Sequence, residues 1–174
     1  MRYLEKVSDI PVLTNCLISN LEGTKATAGN GDNKFWRDST MALITACTAY
    51  QFEVFNEDNE FLEDGSLNPR YKGKRNYINV MRMLRMLEIH EDEGEAISDL
   101  DRLFAELAEK SPRSYAVKMY QTFKMAPSKT ALNIVISTAV QLGTFFDNDD
   151  FANLAYKDEM DIELIGREKA AVFS

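Results

Sequence analysis

Histidine, tryptophan and cysteine are scarce in this sequence: His90 and Trp36 stand alone, and Cys16 and Cys47 are the two thiols. A single histidine excludes the paired histidines of an HExxH zinc helix and leaves only His90 for any Ser-His-Asp triad. The two cysteines lie far apart with no CxxC spacing, and read as reduced, buried thiols of a reducing compartment. Long apolar runs are missing as well. The longest, Met41 to Tyr50, falls short of the ~20 residues that span a bilayer, and no basic–apolar–small pattern marks a signal peptide at the N-terminus. Positive charge is in deficit, with 20 Lys and Arg against 28 Asp and Glu, a net charge of −8. Such a surface repels nucleic acid on average. These absences predict a soluble cytoplasmic chain with no membrane contact.

What is present is a globular balance. The chain has 174 residues, 45% of them hydrophobic and 28% charged, which suits one domain with a proper core.

Apolar spacing predicts an all-α fold, a compact multi-helix bundle of about seven helices. Ile10, Leu13, Leu17 and Leu21 recur at intervals of three and four, with Ser8 or Asp9 as N-cap. Gly23 closes that helix, and Thr24 to Asn33 reads as a loop. A helix of ~24 residues (about 36 Å) follows, with Asp32 or Asn33 as cap. It carries two apolar stripes, Trp36-Leu43-Cys47-Tyr50-Val54 and Phe35-Ala42-Ala46-Ala49, so it is expected to be central, with Trp36 largely buried. Asn76 caps a third helix with Tyr77, Val80, Met81, Leu84 and Leu87 inward and Arg82 and Arg85 outward. Ser98, with Asp101 in the capping-box position, opens a fourth with Leu100, Leu103, Phe104 and Leu107 inward. Ser111-Pro112 reads as the start of a fifth, with Tyr115, Met119, Tyr120 and Phe123 as its stripe. Pro127 kinks or restarts the chain, and Leu132, Val135, Ile136, Ala139, Val140 and Leu142 run to Gly143. A short helix is expected near Asp150 to Ala155. Ala170 to Phe173, apolar and bounded by charge, reads as a short orphan strand.

Two segments stand out by charge. Asn56 to Arg75 runs from acidic (Glu57, Asp58, Glu60, Glu63, Asp64) through Gly65, Pro69 and Gly73 to basic (Arg70, Lys72, Lys74, Arg75). A connection of that length is functional or mobile as a rule. Its two halves could also simply pair with each other. Glu91 to Glu95 forms an acidic break around Gly94.

No motif carries chemistry. Gly29-Asn30-Gly31 lacks the following GK[ST] of a phosphate loop, and Lys129-Thr130 lacks the glycines of a Walker A motif. Asp147, Asp149, Asp150 and Asp158 imitate calcium-loop spacing, but Ala152 replaces the glycine and Asp158 the bidentate Glu. His90, followed by Glu91, Asp92 and Glu93, reads as a surface residue. Met81, Met83 and Met86 are too close to form one stripe and read as core filling. No catalytic residue, metal or cofactor is expected.

Three ordered segments do carry a family pattern. Gly31-Asp32-Asn33-Lys34-Phe35-Trp36, followed by Ala42, Leu43, Ala46 and Tyr50, resembles the G-D-x-F-W…A-x-x-L…A stretch of TraG-type coupling proteins, the ATPases of conjugation and type IV secretion. Tyr120-x-x-Phe123, Lys129-Thr130, Ile134 to Ser137, Leu142 and Phe145 resemble the Y-x-x-F…K-T-x-x-S-I-L-x-S…L-x-x-F helix pair of that family. Asp161-Ile162-Glu163-Leu164-Ile165-Gly166, with Lys169, Ala170 and Phe173, is similar to the stretch where the family's chain re-enters its nucleotide-binding sheet. The N-terminal Tyr3 and the helix from Asp9 to Asn20 fit the segment that leaves that sheet.

The resemblance implies an excised all-α domain, inserted in the parent between the Walker A and Walker B parts. Residues 1–8 would then be a connector from the ATPase domain, 9–156 the substrate-recognition domain, and 157–174 the return segment. The chain holds neither Walker motif, so it is not expected to be an enzyme, although the parent would be an ATPase anchored at the inner face of the membrane. Implied partners are the relaxase and relaxosome accessory proteins, together with the ATPase domain of the same parent. Two alternatives are direct contact with single-stranded DNA, with Tyr71 and Tyr77 stacking near the cations, and a stand-alone helical interaction domain. The candidate partner-binding residues are Arg70, Lys72, Lys74, Arg75, Arg82, Arg85, Glu91, Asp92 and Glu93.

Overall fold

A computed structural model describes residues 6–22, 31–87 and 97–146. Six α-helices account for most of them: α1 (Ile10–Glu22), α2 (Gly31–Val54), α3 (Tyr77–Arg85), α4 (Asp99–Lys110), α5 (Tyr115–Lys124) and α6 (Ser128–Phe146). The described part is therefore helical, as the apolar spacing predicts, with two isolated β-bridges and no strand among the described residues. The short helix near 150–155, the strand at 170–173, His90, the acidic break at 91–95 and the calcium-like aspartates lie outside the described residues, as do residues 1–5 of the expected connector and the return segment 157–174.

The 24-residue α2 is the centre of the bundle. Every residue from Ala42 to Ala49 is buried, because α5 packs along one side and α1, α3 and α6 cover others. Alanines at 42, 46 and 49 let those neighbours approach closely. The expected stripe frays toward its N-terminal end. Trp36 is only partly buried, although it packs against the core, and Phe35 is exposed. The helix also starts at Gly31, which puts Asp32 and Asn33 inside its first turn rather than at its cap.

Caps fix the other helices. Asn76 Oδ1 accepts from Asn79 N–H at 2.8 Å to start α3. Ser98 and Asp101 form the reciprocal capping box of α4: Ser98 Oγ accepts from Asp101 N–H at 3.1 Å, and Ser98 N–H donates to Asp101 Oδ2 at 3.2 Å. Ser111 ends α4 instead of starting α5. Pro112 sits in the turn that Ser114 N–H closes on Ser111 C=O at 2.9 Å, and Ser114 caps α5. Pro suits the second place of such a turn as well as the first place of a helix, hence the misreading. Glu53 of α2 also accepts from Ala116 N–H at 3.2 Å, placing a carboxylate at the α5 N-terminus.

Two faces differ from expectation. In α1 the buried positions are Ile10, Thr14 and Ile18, while Leu13 and Leu17 are only partly covered and a 3-10 turn, Val7–Asp9, precedes the helix. In α6 the inward residues are Ala131, Ile134, Val135, Thr138 and Leu142, whereas Ile136 and Val140 are exposed, and the helix continues beyond Gly143. The side chains of Leu21, Lys129 and Leu132 lie outside the described set. Cys47 is buried, its thiol pushed up to about 12 by desolvation, but Cys16 is exposed rather than buried.

Aromatic rings join α2, α4 and α5. Phe104 and Tyr120 stack with centroids 4.0 Å apart and planes 5° from parallel, flanked by Tyr50 and Phe123. Tyr120 Oη donates to Asp101 Oδ1 at 2.9 Å, and Lys124 pairs with the same oxygen at 2.9 Å. Burial raises Asp101, but the bonds from Ser98, Lys124 and Tyr120 outweigh it and hold the carboxyl below its ordinary value.

Candidate functional site

Between α2 and α3 the chain makes one long excursion, residues 55–76, and most of the candidate cations lie on it. The tip turns through Leu62–Ser66: Gly65 N–H donates to Leu62 C=O at 3.0 Å and Leu62 N–H to Ser66 C=O at 2.8 Å. Gly65 takes φ +78°, the left-handed position that closes a three-residue hairpin loop. Asp64 Oδ1 accepts from Ser66 N–H at 2.9 Å and from Ser66 Oγ at 2.6 Å, and these bonds hold the Asp64 carboxyl below its ordinary value. Asp-Gly before a serine is a sequence signal for such a turn.

Lower in the excursion, Asn68 is buried and makes three bonds. Its Nδ2 donates to Glu57 Oε2 and to Asn59 C=O, both at 2.9 Å, and its Oδ1 accepts from Arg70 N–H at 2.8 Å. Backbone bonds Glu57 N–H to Arg70 C=O (3.0 Å) and Lys72 N–H to Glu57 C=O (2.8 Å) join the two limbs. The segment is thus pinned internally.

The acidic and basic halves pair across this frame. Arg70 Nε lies 3.2 Å from Glu57, and Lys72 Nζ lies 2.7 Å from Asp58. Arg75 turns inward to α2: its Nε donates to Phe55 C=O at 2.6 Å and its Nη2 to Phe52 C=O at 3.0 Å. Desolvation lowers its pKa, and the nearby Asp58 opposes that shift. Three of the candidate cations are therefore engaged within the fold. Tyr77, the expected stacking partner, is largely buried with its hydroxyl pKa raised by desolvation, and so is not presented to a base. Tyr71 lies against Gly73, where a Cβ would run into its ring.

Lys74 and Arg82 are placed differently. Neither has a carboxylate partner among the described residues; Arg82 Nη1 donates to the neutral Asn79 Oδ1 at 3.0 Å. Both line an open cleft of about 490 Å³ between the base of the excursion, α3 and α4. Its apolar wall comes from Tyr50, Phe55, Met83, Met86 and Leu103, and among the described residues no carboxylate lines it. Arg85 is exposed further along α3. The candidates Glu91, Asp92 and Glu93 lie outside the described residues.

Two features escape sequence reading. The cleft gathers residues from three helices and a loop, and no short motif signals that. The tip exposes Phe61, Leu62 and Leu67 at 55%, 43% and 64%, between the exposed acids Glu60, Glu63 and Asp64. The visible signal was an apolar dipeptide, Phe61-Leu62, set among acids and just before Asp64-Gly65.

Among the described residues no helix is long and apolar enough to cross a membrane, and no group of three His, Cys, Asp or Glu side chains is placed to hold a metal ion. Compared with family models, with curated proteins and with solved structures, the chain gives no match.

Proposed function

We propose that this chain is a protein-docking domain, the all-α substrate-recognition part of a conjugative coupling protein that receives relaxase and relaxosome accessory proteins. The family part of this reading is supported by the three ordered segments described above. The docking part is supported by one observation: Arg70, Lys72 and Arg75 are engaged within the fold, while Lys74 and Arg82 stand over apolar side chains in an open cleft. Single-stranded nucleic acid needs a basic track with exposed aromatic faces. Protein partners need apolar pockets with a few charges at the rim. The cleft has the second composition. Catalysis is left to the ATPase domain of the parent, and the domain acts as a receptor at the cytoplasmic face.

Retention on the immobilised chain tests this reading. Purified relaxase or an accessory protein should be retained at roughly 0.15 M salt, and excess single-stranded oligonucleotide should not displace it. Tight, salt-dependent binding of the oligonucleotide with no retention of any relaxosome protein would overturn the reading in favour of direct DNA contact.

A further inference from the structure

The tip of the 55–76 excursion and the cleft at its base are complementary in kind. The tip presents apolar side chains, Phe61, Leu62 and Leu67, ringed by Glu60, Glu63 and Asp64. The cleft presents apolar walls with Lys74 and Arg82 and, among the described residues, no carboxylate. They lie at opposite ends of one pinned excursion, with the Glu57–Tyr71 bridge between them and the Phe61–Leu67 bridge closing the tip. A tip held in that way does not fold back on its own base.

We propose that the acidic apolar tip of one copy docks in the basic apolar cleft of a second copy. The contact is heterologous, because tip and cleft are different surfaces, so each copy keeps one unused tip or cleft for a further neighbour. Three physical points support it. Exposed apolar side chains of this size gain by leaving water. The tip is already ordered by the Gly65 turn, the Asp64–Ser66 bonds and the Asn68 anchor, so little ordering entropy is lost on docking. The charges match in sign, which sets orientation and makes the contact sensitive to salt. A contact made by one loop tip is small, and belongs to the weak, transient class of interfaces. The test requires the chain alone, so it stands or falls separately from docking of a relaxosome protein.

Sedimentation velocity on the 174-residue chain, from ~10 µM to ~1 mM, should show mass-average growth at low salt that diminishes as salt rises. Phe61→Ser/Leu62→Ser and Lys74→Glu/Arg82→Glu should each remain monomeric, with helical content unchanged by circular dichroism. Mixing the two variants decides the matter. One supplies an intact cleft and the other an intact tip, so the mixture should form a 1:1 dimer that grows no further. Adding Glu60→Lys/Glu63→Lys to the cleft variant should restore growth by exchanging the charges. A wild-type chain that stays monomeric, variants that associate like wild type, or a mixture with no dimer would each overturn the proposal.

Discussion

The guanidinium of Arg75 lies 3.9 Å above the centre of the Phe52 ring and donates to the carbonyls of Phe52 and Phe55. One side chain, 23 positions further along than Phe52, thereby satisfies the Phe52 carbonyl in the last turn of α2 and the Phe55 carbonyl just beyond it, and fixes the return of the excursion. Arg75→Ala should cost about 1.5–3 kcal/mol, the range for hydrogen bonds made by a charged donor. Arg75→Lys should recover little, because an ammonium cannot reproduce the planar fork. Urea denaturation of the three proteins checks this; equal midpoints would show that the bonds contribute nothing.

Asp101 gives the fold an acid limit. Its carboxyl is held below its ordinary value of 3.8 by Ser98, Lys124 and Tyr120 against the opposing effect of burial. A carboxyl lowered in the folded state contributes stability that is fully present above its unfolded value, and that stability is lost as pH falls through the folded value. Stability should therefore decline from about pH 4 downward, and part of that decline should vanish in Asp101→Asn. That variant should also be less stable at neutral pH, since the Lys124 pair is lost. A wild-type and variant difference that stays constant from pH 7 to pH 2.5 would contradict the assignment.

Core position, rather than membership of a stripe, decides what truncation costs. Leu43 is fully buried while Trp36, one stripe position earlier, is only partly so. Leu43→Ala should cost about 2–5 kcal/mol, and Trp36→Ala less than the ~3–5 kcal/mol of a fully packed aromatic. Thermal or urea unfolding of the two variants should rank Leu43→Ala as the more damaging.

Those two residues also illustrate how far the sequence could be read. Periodicity identified α2 as central, since two apolar stripes require neighbours on most sides, and the Asn76 and Ser98 caps were legible from local chemistry alone. Periodicity does not measure how fully each turn of a helix is covered, so the stripe alone does not separate the exposed Phe35 and part-buried Trp36 from the buried Leu43. In α6, Ile136 and Val140 are as apolar as Ile134 and Val135, and only the tertiary placement beside α3 and α2 chooses between the faces. The excursion was the least legible part. That its acidic and basic halves could pair was legible, and Arg70 with Glu57 and Lys72 with Asp58 do pair, but which residues meet, and the capture of Arg75 by the carbonyls of Phe52 and Phe55, depend on a backbone path set by Gly65 and Asn68. The cleft depends on that same path, and no spacing rule foretells it.

The central claim is that the fold divides its cations into those engaged internally and those offered to a partner. Relaxase binding to the immobilised chain, measured by surface plasmon resonance at one salt concentration, tests it most directly. Arg70→Glu/Lys72→Glu removes two exposed ion pairs, worth little to the fold, and should leave the dissociation constant within about twofold. Lys74→Glu/Arg82→Glu reverses both cleft cations and should weaken binding by ~10-fold or more. Loss of binding in the Arg70/Lys72 variant with retention in the Lys74/Arg82 variant would contradict the account.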